Sequence, residues 1–366
     1  MKRTLLIGIS AFALLFAAAC NDPVGFGPPV DPGNIIDDPD DILDPEDGDN
    51  EDDGEEGEEP GDEPGDAPSL PPVDESATNP LPPDFMQLVT VPGGTFMLGQ
   101  SLSGGGNIPN MHQVTLTTFR IGRYPVTQQQ FNEVMGGNPS FATLAERSLQ
   151  FGETDALQRP VERVRWYDAI VFANRLSMRT AGVDPAYELP NQWPDPTEWS
   201  SNPADWGQIP TSNNARWNAV RVRPGSNGYR LPTEAQWEFA AKAGGSAGAF
   251  RFSGSNVLAD VGWTRSNSGS NAVGRGPRQV GLLTANALGI HDMSGNLWEW
   301  VWDWFVQYTD EAKTDPTGGI GTSSRVSRGG SWYETNENLF RNVFRFGANP
   351  STPFANFGFR VARPAP

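Results

Sequence analysis

A single cysteine, Cys20, stands in a chain of 366 residues. No intramolecular disulfide can form, so the fold has to rest on a buried core, and the length permits a large one. The position of that cysteine is informative. A short basic start, Lys2 and Arg3, is followed by an apolar stretch over 5–19 that has the length of a secretory h-region and is short for a membrane span. Ala17, Ala18 and Ala19 lead directly into Cys20. The pattern is that of a bacterial lipoprotein signal peptide over 1–20, with Cys20 lipidated and becoming the mature N-terminus. The alternative is an ordinary cleaved signal peptide with an incidental cysteine. Both readings export the chain, and the first anchors it by lipid in the cell envelope, periplasmic or surface-exposed.

Charge divides the remainder. Residues 21–84 hold 23 of the 45 acidic side chains and no Lys or Arg. The other 22 acids face 24 basic residues, so the formal charge of −19 belongs to this segment and the rest of the chain is nearly neutral. The segment is Pro-, Gly-, Asp- and Glu-rich, as in DDPDDILDPEDGDNEDDGEEGEEP. It has too few apolar residues to offset the entropy of ordering, which predicts a disordered acidic tether over 21–84. No basic stripe points to nucleic acid.

A folded domain is expected over 85–366. MQLVTVPGGTFMLGQ reads as two strands around Pro92, Gly93 and Gly94, and HQVTLTTFRIGRYPV as another with Val114 and Leu116 on one face. Three helices are signalled. Thr127 and Gln130 form a capping box before Phe131, Val134 and Met135, with Gly136 as the stop. WYDAIVFANRLSMRTAG carries Ala169, Phe172, Ala173 and Leu176 on one face and is expected to end at Gly182. Thr233 and Gln236 cap a third helix expected to end at Gly244. A Trp-, Pro- and Asn-rich loop fills 184–227. From residue 250 onward Gly, Asn, Ser and Arg are abundant and periodicity is weak. Trp298, Trp300, Trp302 and Trp304 alternate, so on a strand they share one face and Glu299 and Asp303 take the other. Such a stripe could be a ligand platform; core is the expected role for most of it. The domain also has 22 Arg against two Lys, Lys242 and Lys313. Arginine's planar fork suits buried carboxylate pairing, which predicts an internal ion-pair network.

Seven motifs in order, GGTFMLG, RYPVTQQQF, VRWYDAIVFANRLS, YRLPTEAQWEFAAKAG, GIHDMSGNLWEW, RVSRGGSW and GFRVAR, together resemble the sulfatase-modifying factors, the formylglycine-generating enzymes, over most of 85–363. The resemblance implies an α+β domain with little regular secondary structure, the sulfatase-modifying-factor fold related to C-type lectins. Those enzymes oxidise a cysteine of a client sulfatase with two cysteines placed shortly after their GGS. Counted from Ser331, the matching positions are Glu334 and Leu339. A carboxylate is a hard ligand and leucine none, so no copper site is expected here. An iron-dependent branch of the family needs three histidines. Only His112 and His291 exist, and both are expected to be structural.

The family's calcium site falls on DMSGNLWE: the side chains of Asp292 and Glu299 and the carbonyls of Gly295 and Leu297. Oxygen ligands from one short loop suit Ca2+; a tight turn with hydrogen-bonded carboxylates is the alternative. The family's cleft implies a pocket over 332–357, for which Ser331, Trp332, Glu334, Asn336, Asn338, Asn342 and Asn349 are the candidate contacts. The expected function is a non-catalytic domain that binds a protein or glycan ligand or acts as a scaffold. The alternative is an oxidoreductase acting on a client protein by chemistry without the cysteine pair.

Overall fold

The computed structural model describes residues 80–366 apart from 104–105, 142–148, 192–196, 246–249, 271–273 and 322. The signal peptide, Cys20 and the tether up to residue 79 lie outside the described residues. Packing is already under way at Leu81, which is buried and donates its N–H to Arg179 O.

Four short strands come first: β1 (Leu88–Val91), β2 (Gly94–Leu98), β3 (His112–Leu116) and β4 (Phe119–Gly122). The stretch read as one strand is thus two, and they serve different sheets: β3 pairs with β2 and β4 with β1. Helix α1 (Gln128–Met135) starts at the Thr127–Gln130 capping box and stops at Gly136, which takes the left-handed φ of 78°. Helix α2 (Trp166–Met178) ends four residues before the expected Gly182. Ser177 and Thr180 bond back to the carbonyls of Ala173 and Leu176, and Arg179 to Thr180 lead into a turn. The 184–227 loop carries a small sheet of β5 (Tyr187–Pro190), β6 (Trp199–Ser200) and β7 (Arg221–Val222), with the one-turn helix α3 (Ala215–Asn218). Helix α4 (Glu234–Ala241) has its predicted box, Thr233 with Gln236, and ends at Ala241, short of Gly244. A further turn, α5 (Leu258–Val261), follows.

The region of weak periodicity holds most of the remaining sheet: β8 (Trp298–Trp304), β9 (Lys313–Thr314), β10 (Arg325–Arg328), β11 (Arg345–Ala348), β12 (Phe357–Phe359) and β13 (Ala362–Pro364). The central sheet has the order β11-β10-β8-β12, with β12 parallel to β8. The end of the chain returns to its beginning, since β13 pairs with β4. Mixed helices and short strands make this an α+β domain.

Strand β8 is the spine. Trp298 and Trp300 are buried and stack against Phe357, while Trp302 packs on Tyr187 and Trp166. The Trp300 indole donates to Val164 O and that of Trp166 to Val301 O, tying α2 and its lead-in to the strand. Trp304 is half-buried under the Arg325 guanidinium, 3.5 Å from its ring centroid. Trp298 and Trp300 are core, buried with their indole N–H groups satisfied, while Trp302 and Trp304 are partly exposed.

The opposite face of β8 meets buried charge. Glu299 accepts from Arg360 Nε and Nη2, both at 2.7 Å, and from Trp237 Nε1. Glu238 joins Lys242 at 2.6 Å and Arg328 at 2.6 Å. Glu234 holds Arg345 and Arg328, and Glu153 holds Arg159 and Arg278. The arginine-rich composition does build an internal network. Arg325 stands apart from it: it is sandwiched between indoles, and burial pulls its guanidinium down to about 9.

Candidate functional site

Residues 292–297 form a tight turn at the entrance to β8. Asp292, Gly295 and Asn296 all have positive φ, of 57°, 84° and 66°. A side chain at Gly295 would lie 2.5 Å from Trp263 O, so this position requires glycine. The turn is stitched to two remote segments. Asn296 donates its N–H to Trp263 O, and its own carbonyl accepts from Trp332 N–H. Gly295 N–H reaches Gly329 O just ahead of Ser331. The GGS motif, the turn and residues 263–268 are thereby brought together from three parts of the sequence.

The two positions that correspond to the family thiols are both engaged. Glu334 is half-buried and accepts from the Trp298 indole at 3.0 Å. Burial pushes its carboxyl up, against the hydrogen bonds from Trp298 and Ser331. Leu339 packs against two hydrophobic clusters, one around Trp298 and Phe357 and one around Phe252 and Phe340. One position has become a hydrogen-bonded brace and the other a piece of wall.

The candidate ligand contacts separate into three groups. Ser331 and Asn342 are buried structural residues: Ser331 Oγ accepts from Asn356 and from Tyr333 N–H, and Asn342 Nδ2 donates to Phe250 O. These bonds hold both side chains in place, and Asn342 also lines a small hollow with Phe250 and Phe252. Asn336, Asn338 and Asn349 are exposed. Asn336 caps the 3-10 turn Glu337–Phe340, Asn338 accepts from Arg251, and Asn349 accepts from Ser351. Asparagine at these points is chosen for local turn chemistry. Trp332 and Glu334 remain as half-buried groups, and the Trp332 indole N–H has no partner among the described residues. Sequence reading missed what assembles beside them. Arg265 N–H donates to Glu334 O and its guanidinium covers the Tyr333 ring at 5.0 Å, while the exposed Phe151 packs on Trp263 at 5.7 Å. These residues come from separate loops, and no local pattern links them.

Of the calcium candidates, Asp292, Gly295 and Leu297 lie in the turn and Glu299 follows on β8. Burial pushes the Asp292 carboxyl up, against the Gly281 N–H and the nearby Arg360 and His291. A cation would relieve that buried, incompletely compensated charge, and oxygen donors are the right chemistry. Glu299 is shared with Arg360, which already neutralises it. Among the described residues no group of three or more His, Cys, Asp or Glu is placed to hold a metal by side chains alone. His112 is buried against Tyr308, and His291 Nδ1 lies 2.9 Å from Leu283 O; both are structural.

Residues 74–365 match the family described as the Sulfatase-modifying factor enzyme 1-like domain. The chain belongs to that family. It is 36% identical over 289 residues to the chaperone protein LppX of Paenibacillus barcinonensis, a match that covers 75% of this chain and 89% of LppX. It is 30% identical over 299 residues to the formylglycine-generating enzyme of Thermomonospora curvata, covering 75% of this chain and 92% of the enzyme. Among solved structures, Treponema denticola variable protein 1 superposes with a TM-score of 0.65 at 33% identity, over 76% of this chain and 95% of that one. The sulfatase-modifying-factor fold implied by the motifs is the fold of this domain, and the only cysteine in the chain lies outside it.

Proposed function

We propose that this protein is a non-catalytic binding or scaffold member of the sulfatase-modifying factor family, exported and held at the cell envelope by a lipid on Cys20. The observation that carries this reading is the state of the two thiol positions. Copper binding and thiol exchange with a client both need a thiolate. Glu334 and Leu339 cannot supply one, and both are committed to packing. The kinship to a protein named as a chaperone supports a binding role over an oxidative one. The face for a protein or glycan ligand would be the cleft side of Trp332, Tyr333 and Glu334, with Arg265 and Phe151 beside it. Calcium at the Asp292 turn belongs to the same proposal, as a stabiliser of the cleft's floor, with Asp292, Glu299 and the carbonyls of Gly295 and Leu297 as its holders.

Mass spectrometry of a cysteine-containing sulfatase peptide tests the central claim. Incubation with the purified protein, with or without Cu(I), should leave the cysteine unconverted, and copper-dependent formation of formylglycine would overturn the reading. The anchor is tested by feeding a fatty-acid analogue. Wild type should label and partition with membranes, and Cys20→Ala should do neither. Among the described residues no helix is long and apolar enough to cross a membrane, so none of them supplies a helical span in its place.

A further inference from the structure

Asp303 has no part in the proposal above, and the segment that covers it has an unusual make-up. Residues 316–321 read PTGGIG and cross the end of β8. The chain is pinned on both sides of them. Before them, Asp315 Oδ1 accepts the Thr117 N–H at 2.9 Å and the Asp315 N–H donates to Thr115 O. After them, Ser324 O accepts the Phe305 N–H. Three glycines make the contact with the strand. A side chain at Gly318 would lie 2.9 Å from Asp303 Oδ1, one at Gly319 2.8 Å from a Val306 methyl and one at Gly321 3.3 Å from the Trp304 indole. A segment carrying Cβ atoms at these points could not lie so close, and Gly318 also takes a left-handed φ of 82°. Ile320, between them, is 97% exposed and anchors nothing. Among the described residues no hydrogen bond is made to 316–321. The segment is a strap laid on β8 by close backbone contact alone.

The carboxylate beneath it is buried, with Oδ2 accepting the Glu234 N–H. Charged and titratable groups face it from each packed element. Glu234 of α4 repels it, and Arg345 of β11 and Arg325 of β10 attract it. Arg230, ahead of α4, and Tyr187 of β5 face the same charge, and Asp315 at the root of the strap faces Arg230. Arg345 is already engaged by Glu234, and Arg325 by indole rings. Burial prevails, and the Asp303 carboxyl is pushed up to about 7. The strap adds to that burial and gives the carboxylate no donor in return. Lifting it would let water reach Oδ1, and water favours the ionised form far more than the neutral one.

We infer that residues 316–321 are a proton-controlled strap, closed on β8 while Asp303 carries a proton and lifted more readily once the carboxylate ionises. The coupling is reciprocal. A strap that buries the carboxylate holds its proton on, and loss of the proton favours release, so opening increases as pH rises through neutrality. For each pH unit by which ionisation is easier under a lifted strap, loss of the proton multiplies opening about tenfold. The device involves neither the thiol positions nor the Asp292 turn, so it stands or falls separately from the proposal above.

A thiol placed under the strap tests this. Val306 is half-buried beneath Gly319. In full-length Val306→Cys, alkylation by N-ethylmaleimide is followed from pH 5.5 to pH 8 by mass spectrometry of the peptide that carries the new thiol. The same substitution combined with Asp303→Asn is the reference at each pH, so the ordinary gain in thiolate cancels. The ratio of the two rates should be near one at pH 5.5 and rise to roughly ten at pH 8. Gly318→Ala is the converse arm: its methyl presses on Asp303 and should speed alkylation of Val306→Cys severalfold already at pH 5.5. A thiol at the buried Val326 of β10, away from the strap, should stay unreactive throughout. A ratio that stays level with pH would overturn the inference. So would a Gly318→Ala rate no faster than its parent at pH 5.5, or an equal gain at Val326→Cys, which would mark unfolding of the whole domain.

Discussion

Asp303 is a buried carboxylate without a guanidinium of its own. It sits on β8, and its Oδ2 accepts the Glu234 N–H at 2.7 Å. Glu234 is held by Arg345, at 2.7 Å and 2.5 Å, and by Arg328 at 3.1 Å, so the neighbouring cations serve Glu234 first. Burial pushes the Asp303 carboxyl up and the Glu234 charge adds to it; Arg345 and Arg325 act against them, and the result is about 7. The unfolded chain should release this proton near the ordinary 3.8. Between those values the folded state holds a proton that the unfolded state has lost, so stability falls as pH rises and levels off above about 7. A gap of about three pH units at 1.36 kcal/mol each gives a loss of roughly 4 kcal/mol between pH 4 and pH 8. Asp303→Asn keeps an acceptor for the Glu234 N–H and removes the titration. The variant should match wild type near pH 4 and exceed it by several kcal/mol at pH 8. Urea unfolding followed by tryptophan fluorescence, run on both proteins from pH 4 to pH 8, measures the difference directly, and contributions common to both cancel. A difference that stays constant with pH would refute the reasoning.

Glu238 carries the opposite sign. Burial pushes its carboxyl up, but Lys242 and Arg328 outweigh burial and hold it below the ordinary carboxylate range, so its contribution is present at neutral pH and lost as acid protonates it. Glu238→Gln strands two buried cations and should cost about 3–5 kcal/mol, read as a fall in the denaturation midpoint at pH 7; a cost under 1 kcal/mol would show that the pair is not holding α4 to β10. Calcium should raise the melting temperature of the full-length protein saturably and more than magnesium does. Asp292→Ala shares the acidic tether and so controls for diffuse binding there: if wild type and variant respond alike, the turn rests on the Arg360–Glu299 pair without metal.

What was legible in the sequence was local or counted. The boxes at Thr127 and Thr233 are four-residue events, and each does start its helix. The alternation of Trp298 to Trp304 was readable because the strand is seven residues long and its two faces differ in chemistry, indoles on one and carboxylates on the other. Strands β9 to β13 were not readable. They are two to four residues long, and β10 and β12 are buried at every position, so no alternation marks them. Their partners are set by tertiary contact: β12 runs parallel to β8 from more than fifty residues away. The roles of the asparagines were no more readable. Asn342 and Asn336 carry the same side chain, but one is buried against Phe250 O and the other caps a turn. Arg216 ties Pro190 O to Trp206 O, and nothing in the spacing of those residues announces it.

The domain packs without a cysteine at positions 334 and 339. The core is carried by buried Arg–Glu pairs at Glu299, Glu238 and Glu234 and by the packed indoles of β8. Position 334 lies where a side chain can reach the Trp298 indole, so a carboxylate there pairs a buried donor that would otherwise be left open. Position 339 lies between two apolar clusters, where a leucine buries its surface against both. The rim residues Trp332, Tyr333, Arg265 and Phe151 carry no part of the core ion-pair network.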